Sequence, residues 1–546
     1  MRAILQLFLL VSASTLTLWG QTTPYIFYRG VFNAASFTPA GLPGAAIARG
    51  SIFTIFGRNL GPAMPVTASF PIGMVLSGTA LEVCVGPNCT AVLPLFVSSS
   101  QINAILPSNA PLGRVNLRAR VGGVNSNWLT IDTLEASPGL FAINAAGFGP
   151  GIVQNFVSPT EAPNNSLGNT ARPGQSLILY GTGLGAITAP DNQPAPAGNV
   201  GRVEVLVGEQ VVAPDYAGRT PVFAGLDQIN FTVPAGTPTG CYVPLRVRSN
   251  GRVTSNTVTI AIGPRAGERC DDEHNPLSGP VSLGRRVAAI LPQRLENQAD
   301  VDPYAPFNFL QEWLVARIAQ PAPNDFAFSP LSLPPPGACS AYTQSGNWID
   351  QGFQMPVVGD PASALRLRIG AAQSREISPA PFNVMSHLAN LTYKLTSTAR
   401  QFFSSPMVSV NAEGIEGQFP TARALSLSNA AALRSVSRAQ ALTVSWSGTT
   451  SEDRALVTLA AYDEAQNASA LLACLARAGE NSLTIPVALL ETLPVTPRQL
   501  GRYGAVLGLG RFPVRPATLR APGYDVAIGA LGVWTMQNIW IEGGAR

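Results

Sequence analysis

Six cysteines are the residues of this chain whose type and spacing point first to chemistry: Cys84, Cys89, Cys241, Cys270, Cys339 and Cys474. An even count behind an export signal favours disulfides over metal ligation. Cys84 and Cys89 flank Val85-Gly86-Pro87-Asn88, a four-residue turn. Facing hairpin residues sit ~4.5–5.5 Å apart at Cα, which suits a bridge, and a C-x4-C pair without a second ligand pair is a weak zinc signal. The residue types for catalysis are sparse. The two histidines are His274 and His387. His274 closes Asp271-Asp272-Glu273-His274, a cluster that could ligate a hard cation but reads as a solvated acidic loop. His387 sits in a mixed apolar setting and reads as a satisfied histidine, not as a base.

Known catalytic patterns are missing. There is no G-x-S-x-G elbow, H-E-x-x-H helix or phosphate-binding P-loop, and Gly181-Thr182-Gly183-Leu184-Gly185 lacks the spacing of a dinucleotide turn. A glycoside hydrolase needs two converging carboxylates. Asp350, Asp360, Glu413, Glu416, Asp453 and Asp463 lie in the C-terminal half, yet nothing in their spacing selects a pair. The expectation is therefore no catalytic residue, no metal and no cofactor, with a hydrolase in the C-terminal domain as the least favoured alternative.

The elements that must carry these residues follow from composition and patterning. The chain has 546 residues, a net charge of +4, 12% charged residues, 52 Gly and 47 Pro. Apolar residues make up 46%, too many for wholesale disorder. The basic residues form no cluster, which argues against a nucleic-acid partner. Met1 to Gly20, with Arg2 ahead of an apolar stretch to Trp19, reads as a secretory signal cleaved before Gln21. No later run is long and apolar enough to span a membrane as a helix. The expected location is extracellular or periplasmic.

Two segments repeat in order. Gly50-Ser51-Ile52-Phe53-Thr54-Ile55-Phe56-Gly57-Arg58-Asn59-Leu60-Gly61 matches Gly174-Gln175-Ser176-Leu177-Ile178-Leu179-Tyr180-Gly181-Thr182-Gly183-Leu184-Gly185, and Gln101-Ile102-Asn103 matches Gln228-Ile229-Asn230. Each copy then runs through an alternating strand (Val115, Leu117, Ala119; Val243, Leu245, Val247) to Ser-Asn-x-x-Thr-Ile, at 126–131 and 255–260. Ordered matches of this kind argue for duplication. Period-2 apolar runs such as Leu81, Val83 and Val85, set between Gly, Pro and Asn turns, make each copy an immunoglobulin-like sandwich. Gly57 and Gly181 are expected to allow a positive φ or a close strand approach.

Asn33-Ala34-Ala35-Ser36-Phe37, the Gly50–Gly61 run, Gln101-Ile102-Asn103 and Pro107 together resemble a repeat of secreted acidobacterial proteins, itself similar to IPT/TIG immunoglobulin-like domains. The resemblance covers about residues 25–263 in two copies. The second copy has Gly151-Ile152-Val153-Gln154-Asn155 in place of the Asn-Ala-Ala-Ser opening. It implies the fold and export, and a role as an adhesive, receptor or polysaccharide-associated molecule. It also supports a Cys241–Cys270 bridge clipping the outgoing tail to the sandwich. Cys339 and Cys474 would then staple the C-terminal domain, but six cysteines allow 15 connectivities and spacing alone selects only Cys84–Cys89.

The resulting expectation is an all-β chain: a signal (1–20), tandem immunoglobulin-like β-sandwiches (25–147 and 148–263), a linker (264–303), and a larger mainly-β C-terminal domain (304–546) with one or two short helices. One helix is expected at Phe307–Ile318, from apolar residues at helical spacing, and another after Pro486. The C-terminal domain is read as one sandwich or two small ones, resembling the β-domain that accompanies the acidobacterial repeats. The functional expectation is a non-enzymatic extracellular or surface-interaction protein whose partner is an extracellular protein or polysaccharide. The alternative is a carbohydrate-binding accessory protein, for which Trp348, Trp446, Trp534 and Trp540 could stack sugars if exposed, although sandwich tryptophans are expected to be buried.

Overall fold

A computed structural model describes residues 23–272, 275, 277–299, 312–319, 333–346, 365–369, 373–377, 392–394, 407–412, 415–496 and 504–543. The chain is all-β. Helix among these residues is confined to Ser278–Ser282, Val487–Leu490 and a 3-10 turn at Ala430–Arg434. Val487–Leu490 follows Pro486, whose missing N–H costs nothing at a helix start.

In the first sandwich one sheet runs Tyr25–Asn33, Ile52–Arg58, Gln101–Ile105, Asn88–Val97. The last of these bends at an irregularity between Pro94 and Phe96 and continues into the second sheet, beside Thr79–Val85, Gly113–Val121 and Leu129–Leu134. Alternate residues point inward: Phe53, Ile55, Leu81, Val83, Val92, Ile102 and Leu117 form the core. Each such burial is worth about 1.5–3 kcal/mol.

The second sandwich repeats the first in register. Ile55 pairs with Ile102 and Leu179 with Ile229; Leu117 pairs with Leu129 and Leu245 with Val258. The Ser-Asn motif explains why. Ser126 Oγ accepts the Ala119 N–H, as Ser255 Oγ accepts that of Val247. Asn127 then brackets Ile26, accepting its N–H (2.8 Å) and donating to its carbonyl (3.1 Å). Asn256 does the same to Leu140, at 2.8 and 2.9 Å. One amide thus ties the entering strand of each sandwich to the closing strand of its other sheet. Gly57 and Gly181 serve the same entry point by close approach and not by positive φ: a Cβ on either would collide with the carbonyl of Tyr25 or Gly139. Gly139–Leu140 pairs with Gly181–Thr182, so the second unit takes up the chain ahead of the boundary expected at 147/148.

The C-terminal domain is built on one large mixed sheet, ordered Ala338–Ser345, Ala468–Leu475, Asp453–Asp463, Ala505–Pro513, Gly532–Glu542, Val287–Ala299, Glu312–Ala319, Thr392–Lys394. Both faces are covered, which is why Leu456 to Ala461 reads as a nearly continuous apolar run and not as a clean alternation. Val457, Leu459, Leu472 and Leu507 pack on Val444 and Trp446 of a small three-stranded layer and on Leu489 of the helix Val487–Leu490. Leu456, Ala460, Leu471 and Trp534 share a core with Phe148, Leu167 and Tyr242 of the second sandwich.

Two expectations are corrected here. The linker expected over 264–303 contains Val287–Ala299, an interior strand of this sheet. The helix expected at Phe307–Ile318 is, over Glu312–Ala319, an antiparallel strand paired with Val287–Arg294; residues 307–311 lie outside the described ones. Trp313, Val315 and Ile318 suit a strand, and an interior neighbour offers ladder bonds that outweigh a four-residue coincidence with helical spacing.

Candidate interaction surface

The cysteines are all bonded: Cys84–Cys89 across its hairpin (Cα–Cα 4.1 Å), Cys241–Cys270 from strand to tail (5.6 Å), and Cys339–Cys474 across adjacent strands (4.0 Å). Glu82 lies beside the first bridge, but both sulfurs are spent in the disulfide and the carboxylate is held by Arg118.

Buried charges lock the units together. Arg219 lies within the second sandwich, paired with Asp227, and its Nη2 donates to Gly50 O (2.6 Å) and Gly185 O (2.8 Å). Gly50 belongs to the first sandwich, so one guanidinium spans both copies. Burial lowers the Arg219 pKa to about 10, opposed by the Asp191 charge, so the group stays cationic at neutral pH. Asp191 itself accepts the Ser108 N–H and hydroxyl, both at 2.7 Å, and Ala224 packs among Ile52, Leu93, Leu95 and Ile105. On the far side, buried Arg246 donates to Gly208 O (3.3 Å) and approaches Glu209 (3.4 Å), which accepts the Cys339 N–H (3.3 Å). Burial raises the Glu209 pKa, while Arg246 and the Cys339 N–H act against that rise.

What remains open is the outer face of the first sheet of the N-terminal sandwich. Because Phe53, Ile55 and Ile102 face the core, Thr54, Phe56, Arg58, Gln101 and Asn103 lie on the other side; there Thr54 is buried, Phe56, Gln101 and Asn103 are half-buried and Arg58 is exposed. Tyr25 pairs with Arg58 and Phe32 with Thr54. Tyr25, Phe27 and Tyr28 are 38%, 45% and 74% exposed. The ring centroids of Phe32 and Phe56 are 5.9 Å apart, those of Phe37 and Phe56 6.5 Å, and those of Tyr25 and Phe27 6.4 Å. Gln101 Nε2 donates to Asn103 Oδ1 (2.9 Å), which also accepts Thr54 Oγ1 (3.1 Å). The Asn-Ala-Ala-Ser-Phe run builds one border of this face. Asn33 Oδ1 accepts the N–H groups of Ala35 (2.9 Å) and Ser36 (3.2 Å), and the turn holds Phe37 at φ 49°, a conformation uncommon for a bulky residue.

The tryptophans singled out for sugar stacking are elsewhere. Trp534 and Trp446 are 0% and 2% exposed, with Trp534 Nε1 donating to Gln293 Oε1 (2.7 Å) and Trp446 Nε1 to Thr449 Oγ1 (2.7 Å). Trp540 is half-buried, and Trp348 lies outside the described residues. Among the described residues the exposed tryptophan is Trp128, with the Arg118 guanidinium 4.1 Å over its ring.

Among the described residues, Asp453 and Asp463 do not converge. Asp453 and Asp463 end one strand, about 33 Å apart at ~3.3 Å per residue. Asp453 accepts Arg511 (2.5 Å) and Thr450 Oγ1 (2.6 Å), and Asp463 caps a turn by accepting the Gln466 N–H. Glu416 is exposed on Ile415–Pro420. Asp350, Asp360, Glu413, Glu273, His274 and His387 lie outside the described residues. A cleft of about 80 Å³ opens between the second sandwich's tail and the large sheet, lined by Asp272, Asn275, Arg454, Phe512 and Pro334–Pro336. Among the described residues its lining holds one carboxylate, Asp272.

No protein-family model matches the chain, and no curated protein does. Among solved structures it is similar to the SGBP-B of the Bacteroides ovatus mixed-linkage glucan utilization locus, in complex with a mixed-linkage heptasaccharide, at 10% identity. That match covers 44% of this chain and 64% of the other, with a TM-score of 0.18. It is also similar to SGBP-B from a complex xyloglucan utilization locus in Bacteroides uniformis (11% identity, 95% and 98% covered, TM-score 0.16). Domains 5–6 of the S-layer protein SbsC match at 12% identity over 44% and 98%, with a TM-score of 0.15. Scores this low carry no argument about function, and the fold rests on the strands themselves.

Proposed function

We propose that this is an exported surface-interaction protein that binds through its N-terminal sandwich and performs no chemistry of its own. One observation carries the reading: buried charges and shared cores lock the units together, while aromatic side chains stay open on the outer face of the first sheet. Large exposed aromatic patches mark interaction sites in folded proteins. Three disulfides suit an oxidising compartment, and the apolar run before Gln21 suits export. The partner is an extracellular polysaccharide or protein.

The test is co-sedimentation of the purified mature chain with insoluble cell-envelope material. The chain should partition into the pellet. The triple variant Tyr25→Ala, Phe27→Ala, Tyr28→Ala should stay in the supernatant with an unchanged melting temperature. Equal pelleting of both proteins would overturn the reading.

A further inference from the structure

The open face has a charge character as well as an aromatic one. Between Thr23 and Leu81 the chain has no Asp or Glu; the first carboxylate is Glu82, which lies in the other sheet and is held by Arg118. The strands Tyr25–Asn33, Ile52–Arg58 and Gln101–Ile105 carry Arg29 and Arg58 and no acid. Arg29 is engaged, donating to Ala465 O (2.6 Å) and Gln466 Oε1 (3.1 Å). Arg58 is exposed, its guanidinium lies 5.0 Å from the Tyr25 ring centroid, and it has no carboxylate at ion-pair distance among the described residues. A cation in a carboxylate-free aromatic setting is complementary to an anion that also offers a flat apolar surface.

The face is laid out in rows across its strands. The end nearest the second sandwich is covered, with Ala224 over Ile52 and Ile105. The next row holds Phe32, the buried Thr54 and Asn103, the one after it Phe56 and Gln101, and the last Tyr25 and Arg58, with Phe27 beside Tyr25. The binding face is therefore continuous with an established interface at one end and open at the other. Arg29 at φ 58° sits within the irregularity that separates the Ile26 and Val31 pairings, and Phe37 at φ 49° flanks the aromatics. Non-glycine residues held in this region are concentrated at functional sites.

We propose that this face binds a carboxylated polysaccharide, a uronate chain, and this inference rests on the surface-interaction reading above. Sugar C–H faces would stack on Tyr25 and Phe27, a uronate carboxylate would meet Arg58, and hydroxyls would meet the Gln101 and Asn103 amides. A neutral glucan would use the rings and leave Arg58 without a role.

The test is affinity electrophoresis of the full mature chain in gels containing polygalacturonate, its fully methyl-esterified counterpart, or neutral dextran. Polygalacturonate should retard the protein, and the other two should not. Arg58→Gln and Phe27→Ala should each weaken retardation by about five- to tenfold, whereas Arg265→Gln, which removes the same charge from an exposed tail residue paired with Glu268, should not. All three variants should melt with the parent protein. Equal losses for Arg58→Gln and Arg265→Gln, equal retardation by the methyl ester, or no retardation by any polymer would overturn the proposal. Retardation by the methyl ester that disappears in Phe27→Ala would sink the uronate assignment and leave the surface-interaction reading standing. No retardation together with failure to pellet with envelope material would remove both.

Discussion

Arg219→Met is the substitution that most directly probes how the two sandwiches are held together. The parent side chain is buried, pairs with Asp227 and donates to Gly50 O in one sandwich and Gly185 O in the other. Methionine fills comparable volume and keeps the apolar stem. It leaves Asp227 buried without its cation and two carbonyls without their donor. Removing one partner of a buried pair costs about 3–5 kcal/mol. With a urea m-value of about 2–3 kcal/mol/M, that moves the midpoint of the transition that unfolds the paired sandwiches down by about 1–2.5 M. The double variant Arg219→Met, Asp227→Asn removes the orphaned charge while an amide oxygen still accepts the Leu184 N–H. It should recover about half of the loss. Urea unfolding followed by fluorescence and by near-UV circular dichroism would give both numbers. A shift below about 0.3 M for the single variant would refute the lock, because so small an effect means the pair contributes no more than an exposed ion pair.

Three further outcomes follow from the same geometry. Pairwise Cys→Ser removal should destabilise in order of loop length in the chain-entropy picture: ~5 kcal/mol for Cys339–Cys474, ~3.6 for Cys241–Cys270 and ~2.2 for Cys84–Cys89, read by urea unfolding. Burial acts to raise the Asp453 pKa, but the bonds from Arg511 and Thr450 outweigh it and hold the carboxyl below its ordinary value. Its contribution is therefore present at neutral pH and is lost as pH falls through about 4 toward the depressed folded value, so a pH series of melts should show an acid loss that Asp453→Asn flattens. Asn127→Ala and Asn256→Ala should cost similar amounts, about 1–3 kcal/mol each, because each leaves equivalent strand groups unpaired at the same place in its sandwich. Thermal unfolding of the two single variants checks this.

The sequence exposed what is encoded locally and concealed what depends on pairing across distance. The duplication was legible because the same short segments do the same work twice, from Gly57 and Gly181 to the Ser126-Asn127 and Ser255-Asn256 clamps. Cys84–Cys89 was legible because five residues close its hairpin. Val287–Ala299 was hidden because its neighbours in the sheet, Glu312–Ala319 and Gly532–Glu542, come later in the chain. Tryptophan does not mark the aromatic face: the ring nitrogens of Trp446 and Trp534 are satisfied inside the cores. Tyr25, Phe27 and Tyr28 were legible in type. Their exposure depends on the Ile26–Val31 irregularity, which breaks the alternation that would have shown which side they take.

The two copies diverge on the outer faces of their first sheets. Both keep the outward Gln-x-Asn pair: Gln228 Nε2 donates to Asn230 Oδ1 at 3.0 Å, as Gln101 does to Asn103. Both place an aromatic opposite the Gln, Phe56 in one and Tyr180 in the other. In the second copy that aromatic is already satisfied, because the Tyr180 hydroxyl donates to Gln154 Oε1 at 2.9 Å, and Tyr216 bonds within its own sandwich. That copy also carries the buried Arg219, which reaches the first sandwich, and the buried Arg246, which bonds Glu209, whose carboxylate accepts the Cys339 N–H of the C-terminal domain. In the first copy the corresponding space is lined by Phe32, Phe37 and Phe56, rings that make no such internal bond, and Arg58 stands beside Tyr25 without an acid. One frame has thus been put to two uses. The second sandwich is tied to its neighbours by polar groups that satisfy one another, and the first offers apolar rings and a cation that only an added ligand would cover.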